Sequence, residues 1–272
     1  MARSASPPDE AIRELAGRTV PAGVEEPMGV YVWQLGDQAA ELALSVERTV
    51  FDEAFGNTPE LLAAEYEPYD PASVFICVID QRRKVPAGMM RVVVPSPAGL
   101  KSLNDVALVW DEPFQQLFDR SGIPYREAFT WDIATLAVAP EYRGVAKSGL
   151  VSIALYQTIS KVGRMRGITE MVAILHEPVF RLLQRRFHQP FRVLGTVPAK
   201  EYLDSPASLP VHCDLPSWHN RLRVTDLVLF EIMHDGEGMS PAIRPPDWDE
   251  AASRFESALV LSRAAAPPPS TS

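Results

Sequence analysis

The sequence is poor in cysteine, in long apolar runs and in basic residues. Its 272 residues include only two cysteines, too few for a disulfide framework, so we expect no dependence on an oxidising compartment. No window reaches the roughly 18 consecutive apolar residues that a membrane-spanning helix needs, and residues 1–23 lack the apolar core of a signal peptide. We therefore expect a cytoplasmic protein without a membrane span.

Charge is unevenly distributed along the chain. The 26 basic and 35 acidic side chains give a net charge of −9, which disfavours a general nucleic-acid binder, whose surface is basic. The stretch 161–192 is the exception, since its only acids are Glu170 and Glu177. Its basic residues are Lys161, Arg164, Arg166, Arg181, Arg185, Arg186 and Arg192. A local basic face suits a phosphate-bearing or acidic partner, and an ordinary solvated helix face explains it equally well.

Composition divides the chain into four regions. Residues 1–27 are polar and contain proline, which predicts a mobile segment with at most a helical turn at Asp9–Leu15. We expect one domain over residues 28–235 and an extension over 236–263 that contains a helix. Residues 264–272 have a low-complexity sequence that cannot pack a core, so we expect a disordered tail.

Helical and strand patterns alternate between the two tails. Apolar runs rich in β-branched residues predict strands at Val30–Leu35, Ser73–Ile79, Gly88–Val94, Phe129–Val138, Ile168–Leu175, Phe191–Leu194 and Leu227–Met233. Apolar residues at helical spacing predict helices at Gln38–Phe55, Pro59–Tyr66, Ala146–Arg166, Pro178–Phe187 and Asp247–Arg263. Helices separate some strands while others are consecutive, which predicts an α/β protein with a mixed central sheet of six to seven strands flanked by helices.

The turn between Phe129–Val138 and the following helix is the main candidate for a ligand site. Pro140 ends the strand because proline cannot donate to a ladder. A right-handed strand–helix–strand crossover places ligands at the carboxyl end of its first strand. The N–H groups and dipole at the start of the helix, where Arg143 and Gly144 lie, suit a pyrophosphate. The alternative is a strand–turn–helix of any α/β protein.

This turn resembles the motif of the Gcn5-related N-acyltransferases, in Val138, Pro140 and Arg143, with Ala146 and Ser148 at the two later positions. Further segments over residues 40–200 resemble, in the same order, the acyl-homoserine-lactone synthases and the N-acyl amino acid synthases. These segments are Val50-Phe51, Glu65 to Asp70, Gly88 to Arg91 with Pro95, Trp131 to Val138, and Arg185 to Gly195.

The resemblance implies a Gcn5-related N-acyltransferase fold and transfer of an acyl group, in these families a fatty-acyl group, from a carrier-protein or coenzyme A thioester to an amine such as an amino acid. It implies no tightly bound cofactor. Main-chain N–H groups near Leu136 and Val138 would polarise the thioester, and Arg143, Gly144, Ala146 and Ser148 would hold the donor. Glu67 and Asp70 would line the acceptor site. The alternative is that both are simply turn residues, since Asp70-Pro71 is a common start of a turn.

The sequence departs from the two synthase families at acceptor positions. Glu47 and Thr135 stand where these families have arginines, and Asn57 stands where they have tryptophan. A homoserine lactone product is therefore unsupported. Two alternatives remain: a short-chain N-acetyltransferase and a non-catalytic binding module with this fold.

Two charged residues in predicted strands need an explanation. Asp132 is costly to bury unless it is paired or functional, so we predict a general base or amine anchor, with a structural pair to Arg91 as the alternative. Its position four residues before Leu136 predicts that both side chains share a face. Arg91 requires a carboxylate partner, for which Asp70 and Asp132 are the candidates.

Three residue sets carry weaker predictions. The first set is predicted either to line an acyl tunnel or to form plain core, and it consists of Phe75, Met89, Met90, Leu136 and Met171. The second set is predicted to bind a carrier protein or a coenzyme A phosphate, and it consists of Arg181, Arg185 and Arg186. A third set fits no zinc-site spacing, so no metal site is predicted from His212, Cys213, Asp214 and His219.

Overall fold

The computed structural model describes residues 9–143 and 149–264. In these ranges the strands are β1 (Met28–Gln34), β2 (Ser73–Asp80), β3 (Val85–Val93), β4 (Thr130–Val138), β5 (Glu170–His176), β6 (Arg192–Val193), β7 (Lys200–Tyr202), β8 (Ser205–Asp214) and β9 (Ile243–Arg244). The helices are α1 (Asp9–Thr19), α2 (Ala40–Phe55), α3 (Pro59–Tyr66), α4 (Lys101–Val109), α5 (Phe114–Ser121), α6 (Leu150–Met165), α7 (Glu177–Arg186), α8 (Leu215–Thr225), α9 (Leu227–Phe230) and α10 (Trp248–Ala264). None of the helices in these ranges combines the length and hydropathy that a membrane crossing requires.

All nine strands belong to one mixed sheet. Its order is β6-β8-β5-β4-β3-β2-β1-β9, and β7 pairs with β8. The β4–β5 and β1–β9 pairs are parallel, and the other pairs are antiparallel. The predicted α/β class with a mixed, helix-flanked sheet is confirmed, and the strand count is above the six to seven expected.

The strand predicted over Leu227–Met233 is wrong. The run forms α9 and a π-helical turn over Glu231–Asp235. Leu229 and Met233, four residues apart, are the buried members, and Asp226 caps the helix by accepting a hydrogen bond from the Leu229 N–H at 3.0 Å. Sequence reasoning missed β8 instead, because Pro206 and Pro210 interrupt its strand pattern.

Helices cover both faces of the sheet. On one face, α2 buries Leu42, Val46 and Val50 in a cluster with Phe75 and Met89. The apolar face of α2 therefore packs against the sheet, as its helical spacing predicts. On the other face, α6 and α10 pack together with strand residues in the larger cluster. This arrangement leaves the carboxyl ends of β4 and β5 between the α2 face and the α6 face.

Both chain ends contribute to this core. The helix α1 is longer than the single turn predicted, and its Leu15 and Ala16 are buried in the α2 cluster. The strand β9 pairs with the start of β1, and Phe255 of α10 stacks on Trp131 of β4 with ring centroids 4.3 Å apart. The described parts of the predicted mobile segment and of the C-terminal extension therefore pack against the main fold. The domain boundaries themselves stay predictions.

Candidate active site

The strands β4 and β5 separate after a short parallel ladder. Their pairing joins Thr130–Asp132 to Glu170–Val172. Beyond it, in the described ranges, β4 continues along β3 and β5 continues along β8, with no ladder between them. Main-chain N–H and C=O groups along the two facing edges therefore lack a strand partner. This gap lies at the carboxyl ends of parallel strands, where α/β folds bind ligands.

A β-bulge interrupts β4 at the mouth of the gap. Arg91 pairs with Thr135 and Val92 pairs with Ile133, so Ala134 is an extra residue. Before the bulge, Ile133 packs toward α6, whereas after it Thr135 reaches Glu47 of α2.

Because the bulge reverses the alternation of β4, Asp132 and Thr135 share the α2 face and Leu136 points to the opposite face. The predicted common face of Asp132 and Leu136 is therefore wrong.

Only some of the predicted donor-binding residues lie in the described ranges. Leu136 and Val138 are half-buried on the strand that borders the gap. Arg143 is exposed, and its Nε donates a hydrogen bond to the carbonyl of Val138 at 2.6 Å. The other three predicted positions lie outside the described residues: Gly144, Ala146 and Ser148. The donor site therefore stays a prediction.

Arg91 lies in a buried ion-pair cluster on the α2 face. Its Nε and Nη2 donate to Glu47 Oε1 and Oε2 at 3.1 and 2.7 Å, and its Nη1 donates to Asp70 Oδ1 at 3.1 Å. Thr135 Oγ1 donates to Glu47 Oε1 at 2.5 Å. Of the two predicted partners of Arg91, Asp70 is confirmed and Asp132 is wrong.

Sequence reasoning did not identify Glu47 as the main partner of Arg91. The signal in the sequence was the position of Glu47 next to Val46 on the buried face of α2.

Asp132 holds the start of α4. Its carboxylate accepts hydrogen bonds from the backbone N–H of Ser102 at 2.7 Å and from the Ser102 hydroxyl at 2.6 Å, and it is fully buried. A carboxylate at this position also interacts favourably with the helix dipole. Burial raises the pKa of Asp132 to about 7, and the two hydrogen bonds from Ser102 oppose that rise. The role of Asp132 as a base stays a prediction.

A second buried cation lies beside this cluster. Lys101 Nζ lies 2.8 Å from Glu65, 2.5 Å from Asp105 and 3.3 Å from the Tyr202 hydroxyl. Burial alone would lower the pKa of Lys101, and Asp105 and Glu65 raise it above its usual value. Because these residues come from three separate segments, no local sequence pattern could have predicted the network.

Tyr66 connects the two cations to the bulge. Its ring lies 4.1 Å from Arg91 Cζ and 5.1 Å from Lys101 Nζ, and its hydroxyl donates to the carbonyl of Ala134 at 3.3 Å. Burial raises the pKa of the Tyr66 hydroxyl well above its usual value. Tyr66 therefore stays a neutral donor that fixes the bulge against the polar cluster.

The predicted acceptor carboxylates lie on the solvent side of the cluster. Both come from the 3-10 turn Glu67–Ala72, in which Glu67 is exposed and the Asp70 side chain is 29% exposed. Burial raises the pKa of Asp70, and the nearby Arg91 opposes that rise. Asp70 thus connects the buried cluster to the surface. The acceptor-binding role of Glu67 and Asp70 stays a prediction.

The end of α2 also reaches β5, on the far side of the gap. The ring of Phe55 contacts the ring of His176 with centroids 5.7 Å apart. His176, the last residue of β5, is half-buried, and its Nδ1 lies 2.8 Å from Ser205 Oγ. Asn57 donates to Asp204 Oδ2 at 2.9 Å. Sequence reasoning missed His176 because only the strand pairing places it beside the gap.

The predicted tunnel residues do not line one channel. Phe75 and Met89 belong to the cluster under α2, and Met90 and Met171 belong to the larger cluster. All four are buried. A cavity of about 10 Å³ lies at the closed end of the gap, on the α6 face of the sheet next to the paired residues of β4 and β5. Its lining consists of Ile133, Tyr156, Ile159, Ser160, Met171, Phe187, Pro190, Phe191, Cys213 and Trp218.

The histidines near Cys213 do not converge. His212 contacts Glu170, and His219 Nε2 lies 2.7 Å from Ser160 Oγ. Burial, with a further contribution from His234, lowers the pKa of His219 to about 4. Among the described residues, no group of three or more His, Cys, Asp or Glu side chains is arranged to hold a metal ion.

No protein-family model and no curated protein matches the chain. Its fold is similar to that of an N-acyl amino acid synthase from uncultured soil microbes, at 14% identity and TM-score 0.49 over 71% of this chain and 93% of that one. It is also similar to a coenzyme A-dependent acyl-homoserine lactone synthase, BjaI, at 14% identity and TM-score 0.49 over 85% and 99% of the two chains. A spermidine N-acetyltransferase from Vibrio cholerae matches at 11% identity and TM-score 0.42, over 71% and 98%.

Proposed function

We propose that the protein is an N-acyltransferase that moves an acyl group from a thioester to an amine. The observation that carries the proposal is the gap between β4 and β5, with a bulge at Ala134 beside a buried polar cluster. The arm that bears the thioester in coenzyme A and in acyl carrier proteins is an extended chain with two amides. Such a chain can pair with open strand edges as an added strand does.

The bulge is the position at which the thioester would react. A bulge re-aims main-chain groups, so N–H groups around Leu136 can point at the carbonyl oxygen of the thioester and stabilise the negative charge that develops there. Tyr66 and Thr135 fix the bulge to the α2 face by hydrogen bonds to Ala134 and Glu47. Rigid support of this kind is what transition-state stabilisation needs.

The amine would enter from the α2 face. Glu67 and Asp70, at the surface end of the Arg91 cluster, would give the acceptor entrance a negative rim, which attracts an ammonium group. Three of the five N–H donors of Arg91 are engaged by Glu47 and Asp70. Arg91 is therefore poorly placed to bind the carboxylate of a free amino acid, which would need a different cation as its partner. An amine without a nearby carboxylate fits this rim better than an amino acid does.

A short acyl group is favoured by the small volume of the cavity at the closed end of the gap. Its volume of about 10 Å³ is close to the roughly 10–15 Å³ that a single water molecule needs. A fatty-acyl chain would require Met171 or its neighbours to move. Short-chain N-acetyl transfer is therefore the second candidate function, and it uses the same donor and acceptor positions.

Both donor classes present negative charge to the protein. Arg181, Arg185 and Arg186 are exposed on α7, which begins where β5 ends. Arg181 is paired with Glu177 at 2.6 Å. The other two guanidinium groups suit the phosphates of coenzyme A or the acidic surface of a carrier protein.

Thiol release tests the proposal. We expect release from acetyl, hexanoyl and palmitoyl thioesters, offered on coenzyme A and on a carrier protein, when an amine is supplied. The panel should contain a polyamine, a primary alkylamine and an amino acid. A donor preference identifies the carrier, and an acyl preference separates the two candidate functions. No thiol release together with no thioester binding in calorimetry would leave only the non-catalytic binding module.

A further inference from the structure

His176 is the titratable side chain at the β5 edge of the gap. It ends β5, four residues beyond the last pair with β4, and it lies on the same face of the sheet as the contact to Phe55 of α2. Thr135 and Glu47 mark that face on the β4 side of the gap. Thr135 and His176 therefore lie on the same face of the sheet, on opposite sides of the gap.

Two serine hydroxyls of β8 orient the imidazole of His176. Its Nδ1 lies 2.8 Å from Ser205 Oγ, which in turn accepts a hydrogen bond from Ser208 Oγ at 2.9 Å. Ser205 and Ser208 are both buried in β8. With Ser208 donating to Ser205, the tautomer that donates Nδ1–H to Ser205 leaves the lone pair on Nε2 free for a proton. The ring contact with Phe55 holds the imidazole plane.

The buried ionisable groups near the gap are already hydrogen-bonded or ion-paired. Asp132 is fully buried and accepts two hydrogen bonds from Ser102, and Glu47 is 1% exposed and binds Arg91 and Thr135. Several charged groups on the elements around His176 have partners of their own, whereas Asp52 and Glu53 of α2, Glu201 of β7, and Arg185 and Arg186 of α7 are exposed to solvent. Asp204 accepts from Asn57, Glu177 pairs with Arg181, and Lys200 donates to the carbonyl of Val109.

We propose that His176 is the general base of the acyl transfer, a role that rests on the proposed function. One proton passes from the substrate ammonium to Nε2, and the neutral amine attacks the carbonyl carbon of the thioester. As the C–N bond forms and the C–S bond breaks, the second proton leaves the nitrogen and reaches the departing thiolate. The imidazolium then returns its proton to solvent. The products are an amide, a thiol and one proton.

The test is the pH dependence of kcat/KM for wild type, His176→Gln and His176→Ala. We expect kcat/KM to fall about 10²-fold or more in both variants, the usual contribution of a positioned base. The shape of the pH profile of kcat/KM should change in the variants, because the ionisation of the amine substrate alone then controls it, and added imidazole should restore part of the activity of His176→Ala only. A kcat/KM within about threefold of wild type, with the pH profile unchanged, would overturn the proposal.

A second measurement does not need turnover. Long-range ¹H–¹⁵N spectra of the wild-type imidazoles should show the proton of neutral His176 on Nδ1. A proton on Nε2, hydrogen-bonded so that Nδ1 accepts from Ser205, would refute the assigned tautomer. Ser205→Ala should lower kcat/KM by a smaller factor than His176→Gln and should redistribute the tautomers. A wild-type enzyme with no thiol release contradicts the proposed function itself, whereas turnover that survives His176→Gln contradicts only the base.

Discussion

Arg91 of β3 and Glu47 of α2 form a two-pronged ion pair in the interior, with N–O distances of 3.1 and 2.7 Å and side-chain exposures of 5% and 1%. Removing one partner of such a pair leaves an uncompensated buried charge. We therefore expect Glu47→Gln and Arg91→Met each to lower the free energy of unfolding by about 3–5 kcal/mol, measured by urea denaturation.

The double variant separates the pair from the packing around it. Glu47→Leu combined with Arg91→Met should be more stable than either single change, because no lone charge stays buried. Arg18→Met is the matched control, since Arg18 pairs with Glu14 at the surface with side-chain exposures of 56% and 69%. That control should cost less than about 1 kcal/mol. If Glu47→Gln and Arg91→Met lower the free energy of unfolding by no more than this control does, the Arg91–Glu47 pair is solvated.

Asp132 predicts a pH-dependent stability. Because burial raises its pKa from 3.8 to about 7, the folded state binds the proton more tightly than the unfolded chain does. Its contribution is fully present below about pH 4 and is lost as the pH rises toward about 7. In Asp132→Asn, the slope of the unfolding free energy between these values should flatten, as followed by urea denaturation at half-unit pH steps. A slope equal to that of wild type would place the carboxyl in a solvated environment.

Asp70 should control acceptor binding more than stability. It is half-buried at the surface end of the Arg91 cluster, so Asp70→Asn removes a negative charge from the rim while keeping the shape. We expect KM for a cationic amine to rise by about tenfold, with the thioester KM unchanged. Asp119→Asn on the exposed face of α5 is the control and should leave both constants unchanged. An equal rise in the thioester KM would indicate general distortion.

Met171 should limit the acyl group. It lines the small cavity at the closed end of the gap, and its truncation leaves a space that a longer chain can fill. Met171→Ala should shift the ratio of hexanoyl to acetyl kcat/KM by about tenfold toward the longer chain, at a cost of roughly 2–5 kcal/mol in stability. Met165→Ala at the exposed end of α6 should not change the ratio. An unchanged ratio in Met171→Ala would place the acyl chain elsewhere.

The sequence predicted the elements that depend on local patterns. The apolar face of α2, the consecutive strands β2 and β3, and the order β4, α6, β5 follow from the periodicity of apolar residues. It also predicted the need of Arg91 for a carboxylate, and named Asp70 as one candidate. Glu47 was within reach of the same reasoning, because a glutamate on the apolar face of a helix needs a buried partner.

What the sequence could not predict depends on pairing between distant segments. The extra residue Ala134 is visible only in the register of β3 with β4, and it reverses the face of every later side chain in β4. His176 comes next to the gap only because β5 pairs with β8 along its length and leaves β4 early. The strand β8 carries two prolines that hide its pattern, so Ser205 could not be placed behind His176 either.

The pairing of β9 with only Met28 and Gly29 has a consequence for self-association. Among the described residues, the rest of the outer edge of β1 has no strand beside it, and its sequence from Met28 to Gln34 contains no charge. Such an edge can template strand-by-strand aggregation between copies. Arg244, whose Cζ lies 5.3 Å from the ring of Tyr31, brings a positive charge to this edge. A charge at such an edge opposes pairing between copies, so Arg244→Leu should make the chain prone to assemble edge to edge at high concentration.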